Sequence, residues 1–319
     1  MNLDTAKSFR VGLVGARGFV GSELIRLIQR HPNLSLAYVC SRERESRLLS
    51  DFEPGAPEGL RYVNLQPEQA VPANADVVVL ALPNGMAKPW SDAFDRAGSD
   101  ALVLDLSADF RFDRAWFYGL PELYRTQYAG QRRISNPGCY ATAMQLAIAP
   151  LRGRLQGPVQ CFGISGYSGA GTAPSDKNSP QKLQDNIMPY SLTGHIHERE
   201  VAERMQCEVD FMPHVAPHFR GLSITCNLHL READTAESIE SCYREFYRDE
   251  ALIEVIRAAP WLSEVAATPL ARLGGFGVSV DGHRAVVVSV LDNLLKGAAS
   301  QALQNINLGL GLPETRGIL

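Results

Sequence analysis

The sequence predicts an α/β protein of two domains, a Rossmann-type doubly wound parallel sheet followed by an α+β domain. Three observations predict it. Apolar, strand-sized runs alternate with helical segments through the first third of the chain. A glycine-rich turn, Gly15-Ala16-Arg17-Gly18-Phe19-Val20-Gly21, joins the first strand to the first helix. The alternation breaks near residue 139, after which strand-like runs are separated by long polar loops.

In order, residues 8–14 read as a strand, and 22–30 as a helix stopped by His31-Pro32-Asn33. Residues 34–40 form a second strand. Residues 76–82 form a third, ended by Pro83-Asn84-Gly85. A helix over 88–97 and a strand over 101–106 follow. In the second part, 159–164, 207–211, 222–230 and 285–290 are strand-like and suit a mixed or antiparallel sheet, and 165–181 is a polar loop. Apolar residues at 294, 295, 298, 299, 302, 303 and 306 have helical spacing over 292–308. The expected domains are 1–138, completed by a C-terminal helix in 292–319, and 139–291.

Composition bounds the function. The chain has 319 residues, 45% hydrophobic and 21% charged, the balance of a globular protein rather than a disordered one. The net charge of −4 argues against a nucleic-acid surface, which needs a basic face. The first ten residues have no apolar core of signal-peptide length, and no run approaches the roughly 20 apolar residues of a membrane span. A cytoplasmic location, no membrane and no nucleic acid are therefore expected. The six cysteines (Cys40, Cys139, Cys161, Cys207, Cys226, Cys242) are scattered, with no CxxC pair. They read as reduced thiols, mostly buried as small hydrophobes. His195 and His197 lack a second ligand pair, so no metal is expected.

The glycine turn reads as a dinucleotide site. Missing Cβ atoms let the chain turn sharply and approach a pyrophosphate, and the helix start offers N–H groups and a positive dipole end. A tight strand-to-helix turn without ligand would look alike in isolation, but the strand before, helix after and second strand about 20 residues on supply the expected context. Gly15, Arg17, Gly18, Phe19 and Val20 are the expected contacts, with Pro83 at the end of the third strand. An NAD site has Asp or Glu at the end of the second strand. Here that place reads Cys40-Ser41-Arg42-Glu43-Arg44, and a hydroxyl with guanidiniums suits a 2′-phosphate. NADP(H) is thus expected through Ser41 and Arg42, the alternative being a solvated charged loop.

Asn136-Pro137-Gly138 leads Cys139 into a helical run. A thiol at the first turn of a helix is stabilised as thiolate by the helix N-terminus, whose N–H groups can also hold an oxyanion. That is equipment for attack on an acyl carbon. The other five cysteines lack such surroundings.

At this point the residues resemble a known family. Gly15-Ala16-Arg17-Gly18-Phe19-Val20-Gly21-Ser22-Glu23-Leu24, Ala81-Leu82-Pro83-Asn84-Gly85, Asp105-Leu106-Ser107-Ala108-Asp109-Phe110-Arg111, Asn136-Pro137-Gly138-Cys139-Tyr140, Ser165-Gly166-Tyr167-Ser168-Gly169-Ala170-Gly171, Pro213-His214 with Arg220-Gly221, and Asp292-Asn293-Leu294-Leu295-Lys296-Gly297 look like the N-acetyl-gamma-glutamyl-phosphate reductases. The matches run in order from residue 10 to about 308. The resemblance implies the fold of glyceraldehyde-3-phosphate and aspartate-semialdehyde dehydrogenases. It also implies NADPH-dependent interconversion of N-acetylglutamyl 5-phosphate and N-acetylglutamate 5-semialdehyde in arginine biosynthesis, and a homo-oligomer, a dimer or tetramer, built through the second domain. The catalytic thiol matches Cys139. The family's His-Arg-His-x-Pro-Glu stretch reads His195-Ile196-His197-Glu198-Arg199-Glu200 here, so position gives His197 the acid/base role and His195 a place beside substrate, while the middle Arg and the Pro are absent.

Further roles are open between ligand and framework. Arg111 suits the substrate phosphate or a structural ion pair. Asn136, Ser168, Gly169 and Gly171 suit an acyl-site lining or a plain loop. Asn293 suits the nicotinamide carboxamide or a helix N-cap. His214 and His218 carry no assignment. Two rival functions stand beside the main one: the same chemistry on aspartyl or carrier-linked aminoadipyl or glutamyl phosphate, and a catalytically silent NADP-binding redox sensor.

Overall fold

A computed structural model describes residues 7–319. The chain divides into two compact units. One holds the chain up to Pro137 together with Ala298–Leu319, and the other is Gly138–Gly297.

The first unit is built on seven strands: β1 (Phe9–Val14), β2 (Leu34–Cys40), β3 (Tyr62–Val63), β4 (Val77–Leu80), β5 (Leu102–Asp105), β6 (Phe117–Tyr118) and β7 (Arg133–Ser135). Their order is β3-β2-β1-β4-β5-β7-β6, with every pairing parallel. The chain winds one way from β1 to β3 and the other way from β4 onward. The β1/β4 junction is therefore the switch point at which such sheets take their ligands. β4 (VVVL) and β5 (LVLD) are buried along their whole length, as strands covered on both faces must be. The helices are α1 (Phe19–Arg30), the one-turn α2 (Pro67–Ala70), α3 (Lys88–Arg96) and the one-turn α4 (Pro121–Tyr124). α1 buries Gly21, Leu24, Ile25 and Ile28, one face at helical spacing, and stops where His31 turns extended before Pro32. On the other side of the sheet Val78, Leu80, Phe94 and Val103 pack with Phe110, whose ring stacks on Trp116 at 3.9 Å.

The second unit starts with α5 (Cys139–Ile148) and contains β8 (Val159–Gly166), the one-turn α6 (Pro180–Leu183), β9 (Met188–Pro189), α7 (Ile196–Met205), β10 (Val209–Ala216), β11 (Leu222–His229), α8 (Ala236–Phe246), β12 (Ile253–Val255), β13 (Ala271–Val278) and β14 (Arg284–Leu291). The sheet order is β12-β13-β14-β11-β8-β10-β9. It is mixed: β8 pairs with β10, and β12 with β13, in parallel, and the other pairings are antiparallel. Alternate residues of β8 and β11 (Val159, Cys161; Leu222, Ile224, Cys226, Leu228) are buried on the side where α5 packs. Tyr243 of α8 and Tyr247, the residue that ends it, give their hydroxyl hydrogens to the carbonyls of Ala147 and Leu146 and so satisfy the last turn of α5. The opposite face of the sheet leaves Phe162 41% exposed and Ile164, Met212, Val286 and Val288 half-buried.

The helix expected over 292–308 is shorter and starts later. β14 runs to Leu291. A π-helical turn occupies Leu295–Ala299, and α9 (Ser300–Leu310) follows in the first unit. Every residue of α9 from Ser300 to Asn307 is buried, and Asn305 and Asn307 find their partners inside. Asn305 donates to the Gly119 carbonyl (3.0 Å) and to Asn136 Oδ1 (2.8 Å), and accepts from the Tyr128 hydroxyl. Asn307 donates to the carbonyls of Glu314 and Arg316 and meets His31 Nε2 at 3.1 Å. No helix among the described residues is long and apolar enough to cross a membrane.

An orphaned buried polar group costs about 1–3 kcal/mol. Asn305→Leu strands three partners at once and should lower unfolding stability by at least that much in urea titrations. An unchanged midpoint would mean that the network around α9 contributes nothing net.

Candidate active site

In the first unit the turn after β1 is shaped by contacts that only glycine allows. Gly15 has φ +86°, and a Cβ there would sit 2.1 Å from the Ala81 carbonyl oxygen. A Cβ on Gly21 would come within 2.9 Å of the Ala16 backbone. Between them, Gly18 is the N-cap of α1, with no side-chain cap and no acidic residue in the first turn. The positive end of α1 therefore faces the switch point with no acidic residue of its own in the first turn. Phe19 and Val20 open the helix. At the end of β2, Ser41 N–H is tied to the Val63 carbonyl (2.9 Å) and Arg42 is exposed. Arg44 lies over the Phe52 ring and bonds to the Tyr62 hydroxyl. Arg17 pairs with Glu43 at 2.6 Å. No acid occupies the end of β2, where Cys40-Ser41 stand. This set of residues fits a dinucleotide that carries a 2′-phosphate.

The loops after β4 and β5 lock together. Asp109 accepts from the N–H groups of Gly85 (2.6 Å) and Ala87 (2.9 Å), and Asn84 accepts from Ala108 N–H (3.0 Å), which fixes the chain around Pro83. Ser107 bonds to both oxygens of Asp105. Burial pushes the Asp105 carboxyl up to about 6, against the opposing pull of the Ser107 bonds and the Arg111 charge. Arg111, itself buried, donates to the carbonyls of Asn136 and Leu106, both at 3.0 Å. Asn136 N–H in turn bonds to the Asp105 carbonyl (2.7 Å), so Arg111 and Asn136 brace the ends of β5 and β7.

In the second unit Cys139 is the first residue of α5. Its N-cap, Gly138, is extended and has no side-chain cap, and Gly138 N–H donates to Glu200 Oε1 at 3.0 Å. The turn Leu295–Ala299 lies against the thiol residue: a Cβ on Gly297 would be 2.6 Å from Cys139 Cβ. α7 supplies the histidines. His195 is its N-cap, with Nδ1 accepting from His197 N–H (3.1 Å), and the two rings are 4.8 Å apart. Both meet the ring of Tyr140, the neighbour of Cys139, at 6.5 and 6.2 Å. Glu198 anchors this corner by accepting from Gly194 and Phe211 N–H. Burial pushes His195 down to about 4, helped by Lys177 and opposed by Glu198. Its ring is neutral near pH 7, with the proton on Nε2 because Nδ1 is an acceptor.

The structure brings Asn293 and Ser168 together. Asn293 Nδ2 donates to Ser168 Oγ (2.9 Å), and its Oδ1 accepts from Gly221 N–H (2.6 Å). Gly169 lies on this loop, where a Cβ would be 3.1 Å from Ser165 Oγ, and Gly171 closes it with φ +76°. The acceptor for the following turn is Asp292, which takes the N–H groups of Leu294 and Leu295 and a bidentate contact from Arg220. His214 stands on the outer face of the sheet against Phe162, and His218 meets the Gly221 carbonyl.

A family model described as the NAD binding domain of semialdehyde dehydrogenases matches residues 10–131, and one described as their dimerisation domain matches 139–293. The N-acetyl-gamma-glutamyl-phosphate reductases of Stenotrophomonas maltophilia (strain R551-3) and Xanthomonas campestris pv. campestris (strain B100) are each 56% identical to this chain. The alignments span 311 and 314 residues, covering 98% of this chain and 98% and 99% of theirs. The chain belongs to the N-acetyl-gamma-glutamyl-phosphate reductase family. Its fold is shared with aspartate semialdehyde dehydrogenase II from Vibrio cholerae, at a TM-score of 0.77 and 18% identity over 96% of this chain and 99% of that one.

Against this family background, four features of the thiol site were not read from the sequence. Glu200 holds Gly138, Gly297 yields room to Cys139, and Asp292 with Arg220 sets the turn before Gly297. Tyr190 packs edge-on to His195 at 5.6 Å, with Lys177 over its ring. Burial and the Cys139 charge both push the Tyr190 hydroxyl up.

The His195 shift predicts a pH dependence. Its folded pKa lies below the unfolded value, so between about 6.5 and 4 the unfolded chain binds the extra proton. The stability it contributes is complete above about 6.5 and is lost progressively as pH falls toward 4. Urea midpoints measured across that window should fall less steeply in His195→Ser, which keeps a capping oxygen. Parallel slopes for variant and wild type would refute it.

Proposed function

We propose that this chain reduces N-acetyl-L-glutamyl 5-phosphate to N-acetyl-L-glutamate 5-semialdehyde and phosphate, as an NADP-dependent oxidoreductase of arginine biosynthesis. The observation that carries the mechanism is a cysteine at the first position of a glycine-capped helix, with a histidine pair meeting the next side chain. The names of the relatives supply the substrate.

The Cys139 thiolate attacks the acyl carbon, the C–O bond to phosphate breaks, and a thioester forms on Sγ. N–H groups of the first turn of α5 stabilise the oxyanion. Gly15, Arg17, Gly18, Phe19, Val20, Ser41, Arg42 and Pro83 would hold NADPH, which would supply the hydride; hydride addition to the Cys139 thioester gives a thiohemiacetal. His197 takes the thiol proton at the start and exchanges it with the thiohemiacetal oxygen as the C–S bond breaks, releasing the aldehyde and restoring the thiol. His195 fixes the start of α7 and flanks the acyl group. Asn293 acts by holding Ser168, Gly169 and Gly221 in place, and Arg111 and Asn136 by bracing the chain that leads to Cys139. We place the enzyme in the cytoplasm, where a reactive thiol stays reduced.

Run in reverse, wild-type enzyme should reduce NADP⁺ with N-acetylglutamate 5-semialdehyde only when phosphate is present. Cys139→Ala should abolish turnover, and His197→Asn should lower kcat by about 10²–10⁴-fold. Turnover that survives in Cys139→Ala would sink the thioester route. A wild type that is inert on this aldehyde but active on aspartate semialdehyde would sink the substrate.

We also propose a homo-oligomer joined through the open face of the second sheet, where Phe162, Ile164, Met212, Val286 and Val288 form an apolar patch. Phe162→Asp puts a charge in its middle and should give monomers in sedimentation velocity. A variant that keeps the wild-type mass would move the interface elsewhere.

A further inference from the structure

Glu200 has no place in the chemistry described above, yet it is fully buried at the thiol site. Its carboxylate reaches across from α7 to accept Gly138 N–H, the N–H of the residue that caps α5. In an ordinary capping box this N–H is taken by a Glu or Gln three residues into the same helix. That position in α5 is Ala141, which has no acceptor, and Gly138 has no side chain to return the bond. Glu200 thus completes half a capping box from a second helix. It stands three residues after His197, so both project from neighbouring positions on one face of α7.

We propose that Glu200 is a positioning residue for the reaction: it ties the start of α5 to α7 and so keeps Cys139 in register with His197. The proposal rests on the reading of Cys139 as the nucleophile. The geometry makes it consequential, because an error of about 1 Å in such a pair can cost 10²-fold in rate. The carboxylate also has an electrostatic effect. An anionic acceptor on Gly138 N–H disfavours a second negative charge on the next residue more than a neutral acceptor would. Other titratable groups on the elements around Cys139 are Tyr140 on α5, Tyr190 with Lys177 over its ring, His195, His197 and Glu198 on α7, and Lys296 with the Asp292–Arg220 pair at the turn that carries Gly297. Glu200 is the acid among them that bonds to the start of α5.

The test compares Glu200→Gln and Glu200→Ala with wild type in two readouts per folded molecule: steady-state turnover, and the pH profile of iodoacetamide alkylation at Cys139, with Cys139→Ser as the blank. Gln keeps an oxygen for Gly138 N–H and loses the charge. Its alkylation midpoint should move down by about one pH unit, with kcat within about fivefold of wild type. Ala loses both, and its kcat should fall about 10–100-fold with KM little changed. A residue that served folding alone would reduce the yield of folded protein and leave both readouts at wild-type values. Alkylation profiles that superimpose on wild type, or full turnover in folded Glu200→Ala, would overturn the proposal. If Glu200→Ala does not fold, the Glu200→Gln midpoint decides by itself. Failure of the nucleophile reading would look different: Cys139→Ser would then still turn over.

Discussion

Two helix starts must be kept clear of the protein's own side chains, and much of the structure serves that constraint. A helix start has four N–H groups without intrahelical partners, and proteins commonly cover some of them with Ser, Thr, Asp or Asn. α7 and α8 follow that habit, with His195 and Thr235 accepting from the first turn. α1 and α5 do not. Each has a glycine at its N-cap, no side-chain cap and no acid in the first turn. At α1 the uncovered end suits a pyrophosphate, and at α5 it suits a thiolate and an oxyanion. An uncapped helix costs about 1 kcal/mol relative to a capped one. Here the surroundings offset that cost: Gly15 and Gly21 press α1 onto β1 and β4, and Glu200 and Gly297 press the start of α5 from α7 and from the turn after β14.

The motif residues divide by the partners they find. Asp109, Asn84 and Ser107 use their oxygens on backbone N–H groups and on Asp105, and Arg111 gives hydrogen bonds to two main-chain carbonyls. Asn293 has both ends of its amide engaged within the second unit. A polar residue in a recurrent motif therefore need not touch a ligand; it can hold the loop that does. Which role it plays depends on a partner 25 to 125 residues away in sequence, as Arg111 with Asn136 and Asn293 with Ser168 show.

The same distinction explains what the chain revealed before its structure. β1, α1, β2, β4 and β5 were legible because burial on both faces demands unbroken apolar runs, and because the glycine turn is a local device. Cys139 was legible because its helix start is written in four consecutive residues. β13 was not: three glycines interrupt the apolar pattern of its ARLGGFGV run, and Gly274 is there because a Cβ would lie 2.3 Å from the Ala258 carbonyl. α7, with IHEREVAERM, has too few apolar residues to declare itself, since only Glu200, Val201 and Met205 are buried. The helix expected from residue 292 begins later because Asp292 is occupied with Arg220, Ala267 and the next turn, and because Gly297 must lie flat against Cys139. Glu200 stands in the stretch that the family resemblance marks, but nothing local shows what it holds, for its bond spans 62 residues.

The two histidines of α7 illustrate how a shared sequence motif resolves into separate duties. Both meet Tyr140, and by spacing alone either suits proton transfer. His195 is excluded from it at Nδ1. That nitrogen accepts the His197 N–H, and placing a proton on it would set two hydrogens against each other and open the first turn of α7. Burial reinforces this by holding the ring neutral down to about pH 4. A ring that must stay neutral to hold a helix start is a poor proton carrier at pH 7, but it is a good fixed wall. In the proposed reaction this leaves proton exchange to His197, whose backbone N–H His195 accepts and whose helix Glu200 joins to the start of α5. On that proposal the segment from His195 to Glu200 combines a cap, a proton carrier and a tether within the first turn and a half of α7.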